Sequence, residues 1–252
     1  MTTKLKLARL NDGPEIFYTI QGEGKNLGFP SIFVRLSLCN LYCVWCDTDY
    51  TWNWQHTPYP HLRDTEPGYQ KYDKAQHIVM MEVEALMEAV GQHPCKHVVI
   101  TGGEPLVQHK ALLPFAQRLK SEGYFIEYET NGTIIPNEAL DIYSDQYNVS
   151  IKLSNAGVLT EERIRPEAIS FFAQSSKSYF KFVVDSPQDL SEVLDLVQNY
   201  DIPSDKVYLM PQGTSQALLR QKQQWLVALC KEQGFRYTDR LHIHIYGDKR
   251  GV

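Results

Sequence analysis

The feature that most limits the fold of this chain is a repeated alternation of short apolar segments with longer helix-like segments. The apolar segments are rich in β-branched and aromatic residues, as buried parallel strands usually are. The predicted strands are Ile32–Leu36, His97–Ile100, Tyr124–Tyr128, Tyr147–Lys152, Tyr179–Val184, Lys206–Met210 and Leu241–Tyr246. The predicted helices are Gln76–Val90, His109–Glu122, Pro187–Asn199 and Ser215–Gln233. This alternation predicts an α/β fold with a mainly parallel sheet.

The length of the chain and one irregular stretch set its domain organisation. A chain of 252 residues lies at the upper end of the single-domain range, so we expect residues 1–252 to form one domain. Residues 47–75 are rich in Trp, Tyr, His and Pro and fit neither the helix nor the strand period. We interpret the stretch at about 50–75 as a long functional loop or insertion.

Composition excludes several classes of protein. The formal net charge is -5, the isoelectric point is near 5.9 and the basic residues do not cluster, so no nucleic-acid partner is expected. No apolar run approaches the ~20 residues that span a bilayer. The first residues lack the apolar core of a secretory signal. We therefore expect a cytoplasmic protein with no membrane partner, in which grouped cysteines bind metal more often than they form disulfides.

Three of the five cysteines lie within eight residues, at Cys39, Cys43 and Cys46, with the spacing C-x3-C-x2-C. Three thiolates can hold three corners of a four-iron cluster and leave one iron open to bind a small molecule. Structural zinc would need a fourth ligand from Cys95, Cys230 or a distant histidine, so zinc is the second choice. We interpret Cys95 and Cys230 as ordinary buried or partly buried thiols.

Chemically unusual residues follow one predicted strand after another. They are Cys39, Thr101–Pro105, Glu129–Gly132, Pro211–Gly213 and Gly247–Arg250. The carboxyl ends of parallel strands meet on one rim, where ligands bind. Turn formation alone would explain Gly, Asn and Pro at these positions, but it explains Cys, Glu, Thr and Lys less well. We therefore expect one site at this rim.

The cysteine spacing, with Trp45 just before the last cysteine, resembles the radical S-adenosylmethionine superfamily, and Thr101-Gly-Gly-Glu-Pro105 extends the resemblance. Over most of the chain the sequence looks like the 7-carboxy-7-deazaguanine synthase family. The segments that carry this resemblance are Glu15–Gly24, Phe33–Leu36, Asp47-Thr48, Glu129–Gly132, Ser150–Asn155 and Tyr246–Val252. It implies a partial, incomplete parallel βα TIM-like barrel. It also implies a lyase that converts 6-carboxy-5,6,7,8-tetrahydropterin to 7-carboxy-7-deazaguanine with loss of ammonia, on the route to queuosine-type deazapurines.

The resemblance also implies roles for individual residues. Cys39, Cys43 and Cys46 would hold a [4Fe–4S] cluster, and Thr48 would be a ligand to Mg²⁺. The residues implied to bind S-adenosylmethionine are Trp45, Asp47, Gly103, Glu104, Ser150, Lys152 and Gln212. The residues implied to bind the pterin are Ile20, Gln21, Gly22, Arg35 and Thr101. Because the radical arises on the cofactor, no side chain is expected to be catalytic in its own right.

Some residues have two interpretations. His242 and His244 would point to the same face of the last predicted strand and would either contact substrate or serve a structural role. Lys249 and Arg250 would either bind a carboxylate or form a solvated tail, and we favour the tail. Ile151 stands where the family segment usually has proline.

Two other functions are compatible with part of the pattern. An activating enzyme that places a glycyl radical on a partner protein would share the cluster and the Gly-Gly-Glu segment. A non-enzymatic zinc-binding relative would share the cysteines. Gln21, Arg35 and Thr48 favour the synthase over the first alternative, and metal analysis separates it from the second. The resemblance further implies an external one-electron donor of the flavodoxin or ferredoxin type and a homodimer.

Overall fold

A computed structural model describes residues 3–252 of the chain. The strands of this part are β1 (Lys4–Leu10), β2 (Gly13–Pro14), β3 (Ile16–Ile20), β4 (Pro30–Leu36), β5 (Ile78–Glu82), β6 (His97–Gly102), β7 (Phe125–Thr130), β8 (Gln146–Val149), β9 (Ser178–Val184), β10 (Val207–Pro211) and β11 (Arg236–Tyr237). The helices are α1 (Lys74–His77), α2 (Val83–Gly91), α3 (His109–Ser121), α4 (Glu138–Ile142), α5 (Thr160–Arg163), α6 (Pro166–Gln174), α7 (Leu190–Asn199), α8 (Gln216–Gln233) and α9 (Leu241–Tyr246).

The strands form one sheet whose middle is a parallel run in chain order. Strands β4, β6, β7, β8, β9, β10 and β11 pair as parallel neighbours. Around β4 and β1 the sheet continues with antiparallel pairs of β1 with β2, β4 and β5, and of β3 with β4. Within the described residues the end strands β11 and β2 do not pair with each other. The barrel is therefore open, and the predicted partial barrel is confirmed.

The two faces of the parallel run differ in chemistry because successive side chains of a strand point to opposite sides. On β7, Ile126 and Tyr128 belong to the hydrophobic core. Glu127 and Glu129, which alternate with them, both accept hydrogen bonds from Asn148 on the neighbouring strand β8. The outer face of the barrel is thus apolar and covered by helices, whereas the inner face is polar.

Most predicted elements of the parallel run lie where the sequence pattern puts them. The predicted helices His109–Glu122, Pro187–Asn199 and Ser215–Gln233 correspond to α3, to a 3-10 turn followed by α7, and to α8. Ser215 caps α8 by accepting a hydrogen bond from the Leu218 amide. None of the helices within residues 3–252 is long and apolar enough to cross a bilayer.

The prediction that Leu241–Tyr246 is a strand is wrong, since these residues form helix α9. Ile243 is 2% exposed and Ile245 is 51% exposed, whereas both would face the same side of a strand. The short strand β11 already occupies the position beside β10. The Leu241 amide instead donates a hydrogen bond to the carbonyl of Gly22, 2.9 Å away. The helix therefore packs against Gly22 and contributes to the wall of the cavity described below.

The prediction of one helix over Gln76–Val90 is also wrong, because strand β5 interrupts it. The reason lies in β1, which the sequence analysis did not identify. Leu5 and Leu7 of β1 are fully buried, and β1 pairs along its length with β5. Pairing with a distant strand here overrides the local helical pattern.

The predicted loop at residues 47–75 is irregular up to the start of α1, apart from two single 3-10 turns.

Candidate active site

A cavity of about 260 Å³ opens at the carboxyl ends of the parallel strands. Fifteen of the predicted site residues lie on its wall, namely Ile20, Gln21, Gly22, Arg35, Cys39, Cys43, Trp45, Cys46, Asp47, Thr48, Thr101, Gly103, Ser150, Lys152 and Gln212. Only Glu104 of the predicted set does not. The wall also contains residues to which the prediction gave no firm role, namely Glu23, Glu129, Lys181, Arg240, His242, Asp248, Lys249 and Arg250.

The three cysteines lie on the irregular segment that follows β4, and neighbouring loops hold this segment in place. The Val44 amide donates to the carbonyl of Ala156 at 2.9 Å, and the Trp45 indole donates to the carbonyl of Asn155 at 2.9 Å. The Asn40 side chain donates to the Thr133 hydroxyl at 2.8 Å. The residues between the thiols are therefore fixed from outside rather than by regular secondary structure.

Burial is the main influence on all three thiols. It raises the pKa of Cys43 to about 12, and it also raises the pKa of Cys39 and of Cys46. The nearby Asp47 carboxylate raises the pKa of Cys46 further. Deprotonation of these thiols therefore depends on a bound cation, as expected of metal ligands that release protons when the metal binds. Three thiols on the wall of one cavity suit an iron–sulfur cluster with one open iron.

Two glycines at the end of β6 allow the next loop to touch the cysteine segment. A Cβ atom on Gly102 would lie 2.0 Å from the carbonyl oxygen of Leu36, and its φ of +146° disfavours any other residue. A Cβ atom on Gly103 would lie 2.4 Å from the carbonyl oxygen of Leu38 and 2.8 Å from the Cβ of Cys39. The Gly-Gly pair is therefore required for direct backbone contact between two strand ends.

Glu104 is fully buried, and its carboxylate is used within the protein. It accepts hydrogen bonds from the amides of Leu106 (2.9 Å) and Asn131 (2.6 Å) and from the Thr130 hydroxyl (2.9 Å). Burial raises the pKa of Glu104 to about 7 despite these donors. The predicted contact of Glu104 with S-adenosylmethionine stays a prediction. Gly103, rather than Glu104, faces the cavity.

Within residues 3–252, no three His, Cys, Asp or Glu side chains converge closely enough to chelate one metal ion. The three thiols need not do so, because each would bind a different iron of the cluster. Thr48, the residue predicted to bind Mg²⁺, follows the cysteines directly. Its hydroxyl lies 3.5 Å from the Cys46 sulfur, and its carbonyl accepts a hydrogen bond from the Thr51 hydroxyl at 2.7 Å. This leaves one neutral oxygen at the cavity wall close to the cysteine segment.

The loop after β8 lies against the cysteine segment. Lys152 donates to the Ser150 hydroxyl at 2.8 Å, and its ammonium lies 5.9 Å from the centre of the Trp45 ring. Ile151 is buried, and the Ser150 amide donates to the carbonyl of Thr130 at 2.8 Å, so the segment stays extended without the usual proline. On the opposite wall, Lys222 donates to the side-chain oxygen of Gln212 at 3.2 Å.

A chain of ion pairs, buried except at Asp47, lines the cavity. Lys181, 5% exposed, lies between the carboxylates of Glu23 and Glu129 and is 3.0 Å from the latter. Arg240 pairs with both Glu23 and Asp47. Burial alone would raise the pKa of Glu23, but Lys181 and Arg240 lower it well below its usual range. Burial raises the pKa of Glu129 in spite of Lys181.

The amide of Gln21 is also bonded to carboxylates, which the sequence did not indicate. Its nitrogen donates to Glu127 and, at 3.1 Å, to Glu129. Glu127 is fully buried and also accepts hydrogen bonds from His97 and Asn148. Gln21 is therefore fixed by the polar interior of the barrel, with its backbone next to the cavity.

Gly22 allows helix α9 to approach the cavity. A Cβ atom on Gly22 would lie 2.1 Å from Nδ1 of His242, which lines the cavity. Burial lowers the pKa of His242, which favours the neutral imidazole. His244 instead lies 3.2 Å from the carboxylate of Asp239. The expectation that both histidines share one face is wrong, because residues two positions apart on a helix point in different directions.

Arg35 and Arg250 share one buried carboxylate. Nε of Arg35 donates to Glu15 at 2.8 Å, and Nη2 of Arg250 donates to the other oxygen of Glu15 at 2.6 Å. The Arg250 guanidinium also lies 3.4 Å from the centre of the Tyr50 ring. The interpretation of Arg250 as part of a solvated tail is therefore wrong. Thr101 is the neighbour of Arg35 across the β4–β6 pair.

Comparison with known proteins agrees with this geometry. The pattern of the Radical SAM superfamily matches residues 34–214. A 7-carboxy-7-deazaguanine synthase from Pyrobaculum aerophilum is 39% identical over 243 residues, which are 94% of this chain and 95% of that protein. One from Rhodopirellula baltica is 33% identical over 247 residues, covering 94% and 87% of the two chains. The chain belongs to the 7-carboxy-7-deazaguanine synthase family of the radical SAM superfamily.

The crystal structure of QueE from Escherichia coli is similar in fold, with a TM-score of 0.66 and 26% identity over 95% of each chain. Membership of this synthase family makes the chain a lyase that uses a [4Fe–4S] cluster and S-adenosylmethionine. The donor set of the cavity, with three thiols on one segment, fits that cluster.

The sequence indicated some of the cavity residues to which the prediction gave no role. Glu23 and Glu129 belong to segments that carry the resemblance. Lys181 interrupts an apolar strand between Phe180 and Phe182, and period-two alternation would have put it inside the barrel. No local pattern indicated Arg240, because its function depends on distant partners.

Substitution of Gly103 by Ala should weaken the contact between the β6 end and the cysteine segment. The new Cβ would overlap the backbone at Leu38, so we expect a loss of about 1–3 kcal/mol of unfolding free energy and a lower iron content after reconstitution. Urea unfolding and iron analysis measure the two effects. Gly91→Ala is the matched control, since nothing lies within 4 Å of its added Cβ. Equal behaviour of the two variants would contradict the role of Gly103.

Removal of the Lys181 charge should destabilise the fold in a pH-dependent way. Although burial favours the neutral amine, Glu129 and Glu23 raise the pKa of Lys181, so its contribution is complete below the unfolded pKa and is lost as pH rises through the folded value. The pKa of Glu23 is lowered, so its contribution is complete above the unfolded value and is lost as pH falls through the folded value. The pair therefore stabilises the fold over roughly pH 5–10.

For Lys181→Met we expect a loss of about 3–5 kcal/mol at pH 7, because two buried carboxylates lose their shared cation. The loss should shrink below about pH 4, where carboxylates accept protons. Urea unfolding across this pH range measures it. Lys177→Met, which breaks a half-exposed pair with Asp141, should cost at most about 1 kcal/mol. A pH-independent loss for Lys181→Met would contradict the ion-pair account.

Proposed function

We propose that this chain converts 6-carboxy-5,6,7,8-tetrahydropterin to 7-carboxy-7-deazaguanine with loss of ammonia, in the biosynthesis of queuosine-type deazapurines. The observation that carries the proposal is the set of residues that line the cavity at the carboxyl ends of the strands. It combines three thiols, Arg35 and the carboxylates of Glu23 and Glu129. The names of the relatives support the same reaction.

Cys39, Cys43 and Cys46 are the proposed ligands of the cluster. When bound, the cluster and S-adenosylmethionine supply a 5′-deoxyadenosyl radical that removes hydrogen from the substrate. The protein's part is to exclude water and to hold the reactants at one geometry. Burial of Cys43 and the backbone contact through Gly103 serve these two needs.

The residues proposed to contact S-adenosylmethionine are Trp45, Asp47, Gly103, Ser150, Lys152 and Gln212. Trp45 and Lys152 lie close together, so they can form one side of the adenosine pocket. Trp45 would supply an aromatic face and Lys152 a positive charge. Gly103 offers exposed backbone beside the cysteine segment. Glu104 is also proposed to contact the cofactor, and its carboxylate accepts a hydrogen bond from the Asn131 amide, which ties the β6 end to the loop after β7.

The pterin is proposed to bind between Arg35 and the buried ion pairs. Arg35 uses Nε for Glu15, and the rest of its guanidinium can fork onto the substrate carboxylate. Glu23 and Glu129 are acceptors suited to the N–H groups of the pterin ring. Gln21 and the backbone of Ile20 and Gly22 complete this wall, and Thr101 lies beside Arg35.

The Mg²⁺ ion is proposed to bind the Thr48 hydroxyl. A single neutral protein oxygen suits this ion, which keeps several waters and takes its remaining ligands from the substrate. An external one-electron donor of the flavodoxin or ferredoxin type, a homodimer and a cytoplasmic location also remain part of the proposal. The five free cysteines suit a reducing compartment.

The direct test is product formation. Anaerobically reconstituted, reduced protein is incubated with S-adenosylmethionine, Mg²⁺ and carboxytetrahydropterin, and 7-carboxy-7-deazaguanine is sought by mass spectrometry. We expect the product with wild type and with Cys230→Ala, and none with Cys43→Ala. Cys230 is a matched control, since it is equally buried but lies on α8 outside the cavity. Cofactor cleavage without this product would refute the substrate, and zinc without cluster absorbance would refute the chemistry.

Arg35→Ala should mainly raise KM for the pterin. Loss of a charge-assisted pair with the substrate carboxylate predicts an increase of about 10- to 100-fold, with a smaller change in kcat. Steady-state kinetics with varied pterin measure this split. Arg118→Ala, an exposed arginine on α3, should leave KM unchanged. An unchanged pterin KM for Arg35→Ala would mean that another group binds the carboxylate.

A further inference from the structure

The segment that carries the cysteines, here called the cluster loop (residues 38–48), is held from two opposite sides. On one side it contacts the loops that follow β7 and β8, through Asn40 with Thr133 and Val44 with Ala156. On the other side it contacts residues 57–72, which belong to the irregular stretch after β4. The second set of contacts has no role in the function described so far.

The first contact of the second set is made by His61, which is 5% exposed. Its Nε2 lies 2.9 Å from the carbonyl oxygen of Cys46. The backbone amide of Arg63 donates to Nδ1 of the same ring at 3.2 Å. Because Nδ1 is an acceptor, the ring proton resides on Nε2, and the imidazole donates to the Cys46 carbonyl. The hydrogen-bond network therefore fixes both the tautomer and the direction of this bond.

Two further contacts lie beside it. The backbone amide of Leu62 donates to the carbonyl of Val44 at 2.7 Å. The ring of Tyr59 stacks on the ring of Tyr42, with centroids 4.0 Å apart and planes 13° apart. Tyr42, Val44 and Cys46 of the cluster loop are thus contacted by one residue each of the other segment. Their partners are Tyr59, Leu62 and His61, respectively.

Hydrogen bonds within residues 57–72 hold this segment together. The Asp64 carboxylate accepts from the His61 amide at 2.9 Å and caps the 3-10 turn Leu62–Thr65. Lys71 donates to the carbonyls of Thr57 (2.9 Å) and Tyr59 (2.6 Å). These bonds hold the backbone on both sides of His61 in place.

We propose that residues 57–72 form a clasp on the cluster loop, with His61 as a positioning residue for Cys46. Its hydrogen bond sets the plane of the peptide that follows Cys46, and hence the direction of the Cys46 thiolate and of Thr48. Groups that hydrogen-bond metal ligands from outside orient those ligands and tune the metal. The proposal deepens the proposed function and depends on ligation of the cluster by Cys46.

The alternative is that His61 only fills space, because its ring also packs 6.1 Å from the centroids of Trp52 and Tyr69. The two roles make different predictions for substitutions. His61→Phe keeps an aromatic ring and loses the donor. His61→Gln loses the ring and keeps a donor nitrogen at a similar reach to Nε2.

The test uses the full chain, reconstituted anaerobically with iron and sulfide and reduced with dithionite. The two readouts are the electron paramagnetic resonance spectrum of the reduced cluster and the rate of iron release to bathophenanthroline. For His61→Phe we expect altered g values and about 10-fold faster iron release. For His61→Gln we expect wild-type g values and a release rate close to that of wild type.

Tyr72→Phe is the matched control within the same segment. It loses the hydroxyl that donates to Asp49 at 3.1 Å and accepts from the Arg63 side chain at 3.2 Å, and neither bond involves a residue of the cysteine motif. We expect its spectrum and iron release to equal those of wild type. If Tyr72→Phe matched His61→Phe, general loosening of the segment would explain both, and the positioning role would be refuted.

Wild-type behaviour of His61→Phe would overturn the proposal, as would His61→Gln behaving like His61→Phe. If His61→Phe does not fold, Tyr59→Ala tests the clasp independently, since Tyr59 is 37% exposed and its ring stacks on Tyr42 of the cluster loop. Faster iron release from Tyr59→Ala supports the clasp, and an unchanged rate overturns it. A wild-type protein that retains no cluster would instead refute the cysteine ligation, so the two failures are distinguishable.

Discussion

The site depends on one backbone contact, in which the end of β6 touches the end of β4 with no side chain between them. Gly102 and Gly103 make this contact possible, because any Cβ there would overlap the carbonyls of Leu36 and Leu38. Glu104 then extends the contact by accepting hydrogen bonds from the start of the loop after β7. Three neighbouring strand ends are thereby locked at a fixed spacing, and the cluster loop begins at the first of them. The motif that suggests a ligand contact in sequence thus has a mechanical role as well.

Inside the barrel, electrostatic pairing replaces apolar packing. Glu23, Lys181 and Glu129 form one buried sequence of alternating charges, and Arg240 continues it to Asp47. Removing these charges from water is costly, so each must keep a partner. The polar interior is therefore held in place by the protein's own charges. The same pairing limits which ligands can bind, because a charged ligand would have to compete with the partner that each of these groups already has.

Much of this site follows from sequence because its elements are local or follow a general rule. The cysteine spacing lies within eight residues, and the rule that ligands bind at the carboxyl ends of parallel strands groups segments that are far apart in the chain. The rest depends on pairings that no local pattern encodes. Strand β5 forms where a helix was predicted because β1 provides an edge, and Leu241–Tyr246 becomes a helix because β11 occupies the neighbouring edge position. Arg250 is a site residue because Glu15, distant in sequence, is buried beside it.

The cluster loop connects the proposed cluster ligands with the proposed ligands of the substrate and of Mg²⁺. Arg35, the proposed carboxylate ligand of the pterin, lies four residues before Cys39, and Thr48, the proposed Mg²⁺ ligand, lies two residues after Cys46. Arg35 lies on β4 and stays in place, so a movement of this loop would displace the cluster ligands and Thr48 relative to it. The loop donates hydrogen bonds to the carbonyls of Ala156 and Asn155 and accepts hydrogen bonds from His61 and Leu62, and these contacts oppose such movement. Since a displacement of about 1 Å can cost 100-fold in rate, support from both sides is what a shared loop of this kind requires.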